Sequence, residues 1–233
     1  MNATESIRPP QCKQPNLWFQ KLQCWSSEVW KHNRYTLVIA VVTLLIHACP
    51  TLSSTLQLDF KAVSGGQWWR LLSGHLTHYD GQHLFWDLLM FVVLGAVCER
   101  QNRKLFGVFF VIMATIVSLT VMQACGDISE YRGLSGIDTG LFTWLTISQL
   151  RKSLAGGDRY FAAFWTMSGF MLLGKLGFEM ITGDVLFVQT DGFKPLLESH
   201  LAGATVGILV AVITALSTNT KALSTNTAQR LSS

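Results

Sequence analysis

The chain reads as an all-α membrane protein built as a six-transmembrane-helix bundle. Three observations predict this. First, 49% of its 233 residues are hydrophobic and only 14% are charged, against about 25% charged in an average soluble domain. Second, six apolar stretches occupy about residues 35–52, 83–99, 105–123, 133–148, 160–181 and 200–216. Each approaches the ~20 residues that a bilayer core requires. Third, Lys and Arg alternate between the connections: thirteen fall before span one, after spans two and four and in the tail, against Lys61, Arg70, Arg132 and Lys194 on the other side. The positive-inside rule then places both termini in the cytoplasm of a multi-pass protein of the cell membrane.

The elements follow in order. Residues 1–34 form an N-terminal cytoplasmic segment, polar over its first sixteen residues, which predicts no cleavable signal peptide. Within it Trp18, Leu22, Trp25 and Val29 repeat at helical spacing, as an interfacial amphipathic helix would. Residues 35–216 form the membrane domain. Its first outer connection, 53–82, carries Gly65-Gly66-Gln67-Trp68-Trp69-Arg70. Paired tryptophans beside a snorkelling arginine suit the headgroup zone, so a partly embedded loop is expected. The fourth span is short and carries polar groups, which makes it the weakest by hydropathy. The stretch 215–220, Ala-Leu-Ser-Thr-Asn-Thr, recurs at 222–227 with too few apolar positions for a coiled-coil seam, and residues 217–233 read as a disordered cytoplasmic tail.

Several classes are set aside. No basic tract interleaved with aromatics points to nucleic acid. The five cysteines are scattered, with neither disulfide nor metal spacing. No paired broken helices or internal membrane repeat favour a transporter. His75, His78 and His83 are not at helical i, i+4 spacing, so no metal and no cofactor is expected.

In this topology spans two, four and six all begin on the outer face, opened by His83 with Asp87, by Ser135 with Asp138, and by His200. Ionisable groups at one depth of a bilayer are costly and usually functional. Gly133-Leu134-Ser135-Gly136 puts a serine at a helix N-terminus, where N–H groups and the dipole stabilise an oxyanion. Glycine and serine in apolar helices are often mere packing residues. A serine becomes nucleophilic when a base takes its proton, and His200 is the available base. Gly203 and Gly207 share the face of His200 and permit close helix contact with the fourth span. Lys175 and Glu179, four apart in span five, read as a structural ion pair.

Together these residues resemble the rhomboid intramembrane serine proteases. The resemblance spans about 65–207. It rests on Trp69-Arg70, His83, Glu99-Arg100, Gly133-Leu134-Ser135-Gly136, and His200 with Gly203 and Gly207. Within the family, His200-Leu201-Ala202-Gly203 is similar to the rhombosortase branch. The resemblance implies a rhomboid-like bundle that cleaves peptide bonds in or next to transmembrane segments of membrane proteins. Ser135 would be the nucleophile and His200 the base, with oxyanion donors from the Ser135 N–H and His83. Two positions depart from the family pattern. Asp87 stands where asparagine is usual as a further oxyanion donor, and could donate only when protonated. Thr139 stands where a ring residue usually packs on the base, and Asp138 beside it is a candidate for orienting His200. The alternative is a catalytically inactive rhomboid-like protein that binds membrane clients.

Overall fold

The computed structural model describes residues 31–184 and 196–231. The predicted amphipathic helix at Trp18–Val29 lies outside them. Among the described residues, four helices are long and apolar enough to cross a membrane: α5 (Gly81–Gln101), α6 (Arg103–Ala124), α8 (Arg159–Thr182) and the first part of α9 (Leu197–Leu231). A fifth crossing is formed if α1 (Arg34–His47) and α2 (Pro50–Leu56) count as one span bent by 114°. The sequence predicts an unbroken first span here. Pro50 explains the break: it lacks an N–H for the carbonyl one turn back and sits at the first position of a new helix.

Helix α7 (Ser135–Ala155) completes an arrangement consistent with six spans. At about 1.5 Å per residue its 21 residues cover about 31 Å, enough for the hydrocarbon core. It is too polar to pass as lipid-facing, and the packing shows why. Ten residues from Gly136 to Thr146 are buried among the other helices. A span wrapped in protein needs no continuous apolar surface. Helix α8 is the converse. Only Ala162, Ser168 and Glu179 are buried on it, while Phe161, Phe164, Phe170 and Met171 face outward.

The outer connection is folded rather than loose. Helix α3 (Phe60–Ser64) and helix α4 (Arg70–Ser73) lead into a 3₁₀ turn, Gly74–Leu76. Strand β1 (Leu58–Asp59) pairs antiparallel with β2 (Glu130–Tyr131), Leu58 opposite Tyr131. That ladder ties the connection to the turn that precedes Ser135. Trp68 and Trp69 are exposed, as the headgroup reading requires. Arg70 does not snorkel. It is buried, donating from Nη1 to the Gln57 carbonyl (2.7 Å) and from Nε to Gln67 Oε1 (2.7 Å). At the other end of α5 Glu99, 1% exposed, accepts from the backbone N–H groups of Tyr35 (3.1 Å) and Thr36 (2.9 Å) and from the Thr36 hydroxyl (2.9 Å). A carboxylate there caps the orphan donors at the start of α1 and favours its dipole.

The tail differs from expectation. Helix α9 continues to Leu231, over residues predicted to be disordered. Residues 217–231 hold no Gly or Pro, so nothing local stops the helix.

The core pivots on α7 against α9. A Cβ on Gly203 would collide with the Gly136 carbonyl, and one on Gly207 with the Gly140 carbonyl. A Cβ on Gly136 would lie 2.9 Å from the Ser199 carbonyl oxygen. Backbone atoms fill each of these places, so neither helix can yield by rotating a side chain. We expect Gly203→Ala to separate the helices and destabilise the fold by about 1–3 kcal/mol, the usual cost of overpacking. Thermal unfolding in detergent checks this, with Gly174→Ala, on open space in α8, expected to be neutral.

Candidate active site

Ser135 is the first residue of α7, and the turn before it requires Gly133. That residue has φ +119°, and a Cβ on it would meet His83 Nε2 at 2.8 Å and Asp87 Oδ2 at 3.0 Å. Only glycine fits such a conformation and such a gap. His75, fully buried in the 3₁₀ turn, holds this turn in place. Its Nδ1 lies 3.1 Å from the Gly133 carbonyl and its Nε2 2.9 Å from the Ala114 carbonyl. Burial lowers the pKa of His75, against the raising effect of its two carbonyl partners. Tyr131 packs edge-on against the same ring, and burial raises its hydroxyl pKa well above the ordinary value.

One oxygen organises the mouth of α7. Asp87 Oδ2 accepts the backbone N–H groups of Leu134 (2.8 Å) and Ser135 (3.1 Å). It also stands 3.2 Å from His83 Nε2 and 3.3 Å from His78 Nε2. The Asp87 carboxylate therefore occupies the donors that the sequence assigns to an oxyanion. The geometry explains an aspartate here, since a helix N-terminus favours a negative charge. His78 is buried, which lowers its pKa, while Asp87 opposes that shift. Tyr79 stacks on His83 (5.9 Å between centroids, 12°), and the Arg132 guanidinium lies over Tyr79. Burial pushes the Tyr79 hydroxyl up to about 12. His78 is the residue that linear spacing missed: it reaches the group from the loop, not from the helix of His83.

His200, also buried, lies on the first turn of α9, with the Ser199 carbonyl against Gly136. The close α7–α9 approach therefore brings the turns of Ser135 and His200 together. His200 Nδ1 is 2.7 Å from Glu179 Oε2. The other Glu179 oxygen pairs with Lys175 Nζ at 2.5 Å, and Lys175 Nζ stands 3.3 Å from His200 Nδ1. With Nδ1–H donated to Glu179, His200 keeps Nε2 as its free base nitrogen. Among the described residues, His200 meets Glu179 and Lys175, and no hydrogen bond joins it to Ser135.

Asp138, the candidate for orienting His200, does not bond it. Both of its oxygens are buried without a hydrogen-bond partner among the described residues. The carboxylate on His200 comes from Glu179. The i, i+4 spacing of Lys175 and Glu179 was visible in the sequence, and their pairing is present. The third member, 21 residues beyond Glu179, was not.

The fold is that of a multi-pass membrane protein whose polar groups gather at the starts of α5, α7 and α9. The Rhomboid domain profile matches residues 65–217, and the chain belongs to the rhomboid family. It is 25% identical over 184 residues to proteins named Rhomboid protease GlpG from Yersinia pestis (strain Pestoides F) and Yersinia pseudotuberculosis serotype O:3 (strain YPIII). The match covers 75% of this chain and 59% of each relative, so the chain spans well under two thirds of their length.

A buried carboxylate without a partner lowers stability. Asp138→Asn is therefore expected to keep or raise the melting temperature in detergent. A clear fall would reveal a partner for Asp138.

Proposed function

We propose that this chain is an intramembrane serine endopeptidase that cleaves peptide bonds in or next to transmembrane segments of membrane proteins. The observation that carries this reading is the 2.7 Å bond from His200 Nδ1 to Glu179, on a histidine packed by glycine contact against the turn of Ser135. A histidine held at Nδ1 by a carboxylate presents Nε2 in the tautomer that a general base needs. Ser135 Oγ attacks the scissile carbonyl and passes its proton to His200 Nε2. The Ser135 N–H and His83 are the donors for the oxyanion. His200 then protonates the leaving amine, and water hydrolyses the acyl-enzyme by the same route reversed. Glu179 positions the base and stabilises its cation, the role that the sequence offered to Asp138. The charge tally places both termini in the cytoplasm and the site toward the outer face of the cytoplasmic membrane.

Asp87 favours a second reading. Its carboxylate already fills the donors of Leu134 and Ser135, and an ionised carboxylate there repels an oxyanion. A client-binding protein without turnover follows if Asp87 never leaves them.

Fluorophosphonate labelling of the solubilised protein tests the nucleophile. Wild type should label and Ser135→Ala should not; wild type failing to label while folded overturns the protease reading. With a model transmembrane substrate, Glu179→Gln is expected to lower kcat by roughly 10²–10⁴-fold, the usual worth of general acid–base catalysis, with KM little changed. Asp138→Asn should stay near wild type. Asp87→Asn should raise turnover, by up to the ~10²-fold worth of one oxyanion donor. No turnover in either wild type or Asp87→Asn would favour the client-binding reading.

A further inference from the structure

We propose that His78, His83 and Asp87 form a binding site for a divalent transition metal of the zinc class, and that a metal bound there blocks the oxyanion pocket. The inhibitory half rests on Ser135 being the nucleophile. The binding half does not.

The three side chains come from two places, His78 from the loop after the 3₁₀ turn and His83 with Asp87 from one face of α5. All are buried, and one ligand atom from each lies within 4.8 Å of the others. At zinc bond lengths of ~2.0–2.1 Å to imidazole nitrogen or carboxylate oxygen, two ligands of a tetrahedral ion stand about 3.3–3.4 Å apart. The two histidine–aspartate separations are 3.3 and 3.2 Å. Two edges of the tetrahedron are thus already set, and the third, between the two histidines, is within 4.8 Å.

A plain hydrogen-bonded cluster explains the group less well, because of His78. Neither of its ring nitrogens makes a hydrogen bond among the described residues, although Nε2 is 3.3 Å from the carboxylate. The ring is off the line to Asp87. Ligands aimed at a common tetrahedral centre point about 35° off the lines that join them. The Leu134 and Ser135 N–H groups bond the same Oδ2 that faces the two imidazoles and fix its position, as hydrogen-bonded metal-binding carboxylates are commonly fixed. Two imidazoles with one carboxylate suit zinc, copper or nickel, not magnesium or calcium. The fourth position stays open for water, as in sites with three protein ligands.

The chemistry makes binding and catalysis exclusive. A metal takes the lone pair of His83 Nε2, whereas the oxyanion needs a proton on that same nitrogen. Asp87 is the residue that turns a donor pocket into a ligand set.

The test uses full-length protein in detergent carrying Ser135→Ala, which prevents self-cleavage. Titration with Co²⁺ should develop the visible absorption of a four-coordinate site at one ion per chain, with Zn²⁺ displacing it and Mg²⁺ not. His78→Ala, His83→Ala and Asp87→Asn should each weaken binding by at least about tenfold, and Asp138→Asn should not. Where a variant fails to fold, the unaltered site still reports: Zn²⁺ should protect the folded Ser135→Ala chain from thermal unfolding, and Mg²⁺ should not. No absorption band and no protection, or equal binding in all three variants, overturns the site. With active wild type, Zn²⁺ should suppress cleavage at the concentration that fills the site, and Asp87→Asn should resist it. Stimulation, or no effect at full occupancy, overturns the inhibitory half. Cobalt binding in a protein that shows no turnover without metal would instead keep the site and remove the protease reading.

Discussion

The close backbone contact between α7 and α9 is the constraint on which the rest depends. Gly136 and Gly140 face Gly203 and Gly207 with no room for a Cβ between them. Lipid tails offer little hydrophobic drive for helix association, so packing at such contacts supplies it. The same contact has a chemical result. The carbonyl of Ser199 lies on Gly136, so the residues next to the contact, Ser135 and His200, start their helices at one depth. A polar α7 is tolerable only because this packing removes it from lipid. Its three threonines, Thr139, Thr143 and Thr146, would be a liability on a lipid-facing helix. Two of them turn their hydroxyls back to the helix itself: Thr139 to the Ser135 carbonyl at 2.9 Å and Thr143 to the Thr139 carbonyl at 2.7 Å.

Asp87 organises the opposite side of the site. Two backbone N–H groups donate to one of its oxygens, and two imidazole nitrogens stand 3.2 and 3.3 Å from it. An asparagine could accept the backbone N–H groups through its carbonyl, but it would bring no charge to the helix N-terminus and no anionic ligand. The aspartate therefore strengthens the cap on α7 while taking the place an oxyanion would use. Stability of the turn and readiness for an acyl-transfer step pull in opposite directions here, a common tension where strain or charge is kept at a site.

Much of this was legible in the sequence. Hydropathy and the charge tally located α5, α6, α8 and α9, because lipid-facing surfaces must be apolar along their whole length. The shared starting face of His83, Ser135 and His200 followed from topology alone. What escaped is what depends on tertiary approach. The bend at Pro50 could be read as a turn inside one span, since composition does not register direction. Arg70 looked like a snorkelling residue, because nothing local reveals that the Gln57 carbonyl lies within its reach. Asp138 looked like the histidine partner since it is one turn from Ser135. A turn on α7 nevertheless fixes only the face of α7, and His200 takes its carboxylate from α8.

Glu179 shows why such partners hide. On α8 it pairs with Lys175 one turn earlier, and by itself that pair needs no third member. An ionised carboxylate in an apolar span is expensive, and a neighbouring ammonium reduces the cost. Lys175 is about a third exposed and carries its charge toward the edge of the bundle, whereas Glu179 is nearly enclosed. The carboxylate divides its oxygens, Oε1 to the lysine and Oε2 to His200. The lysine thus keeps Glu179 charged without occupying the oxygen that holds the imidazole. In the proposed mechanism it also sets a limit: when His200 takes a proton, two cations share one carboxylate. The imidazolium is then stabilised less than it would be by an unshared aspartate, which favours prompt return of the proton to the leaving group. An ion pair that looks purely structural along one helix is in this way the electrostatic support for a histidine on another.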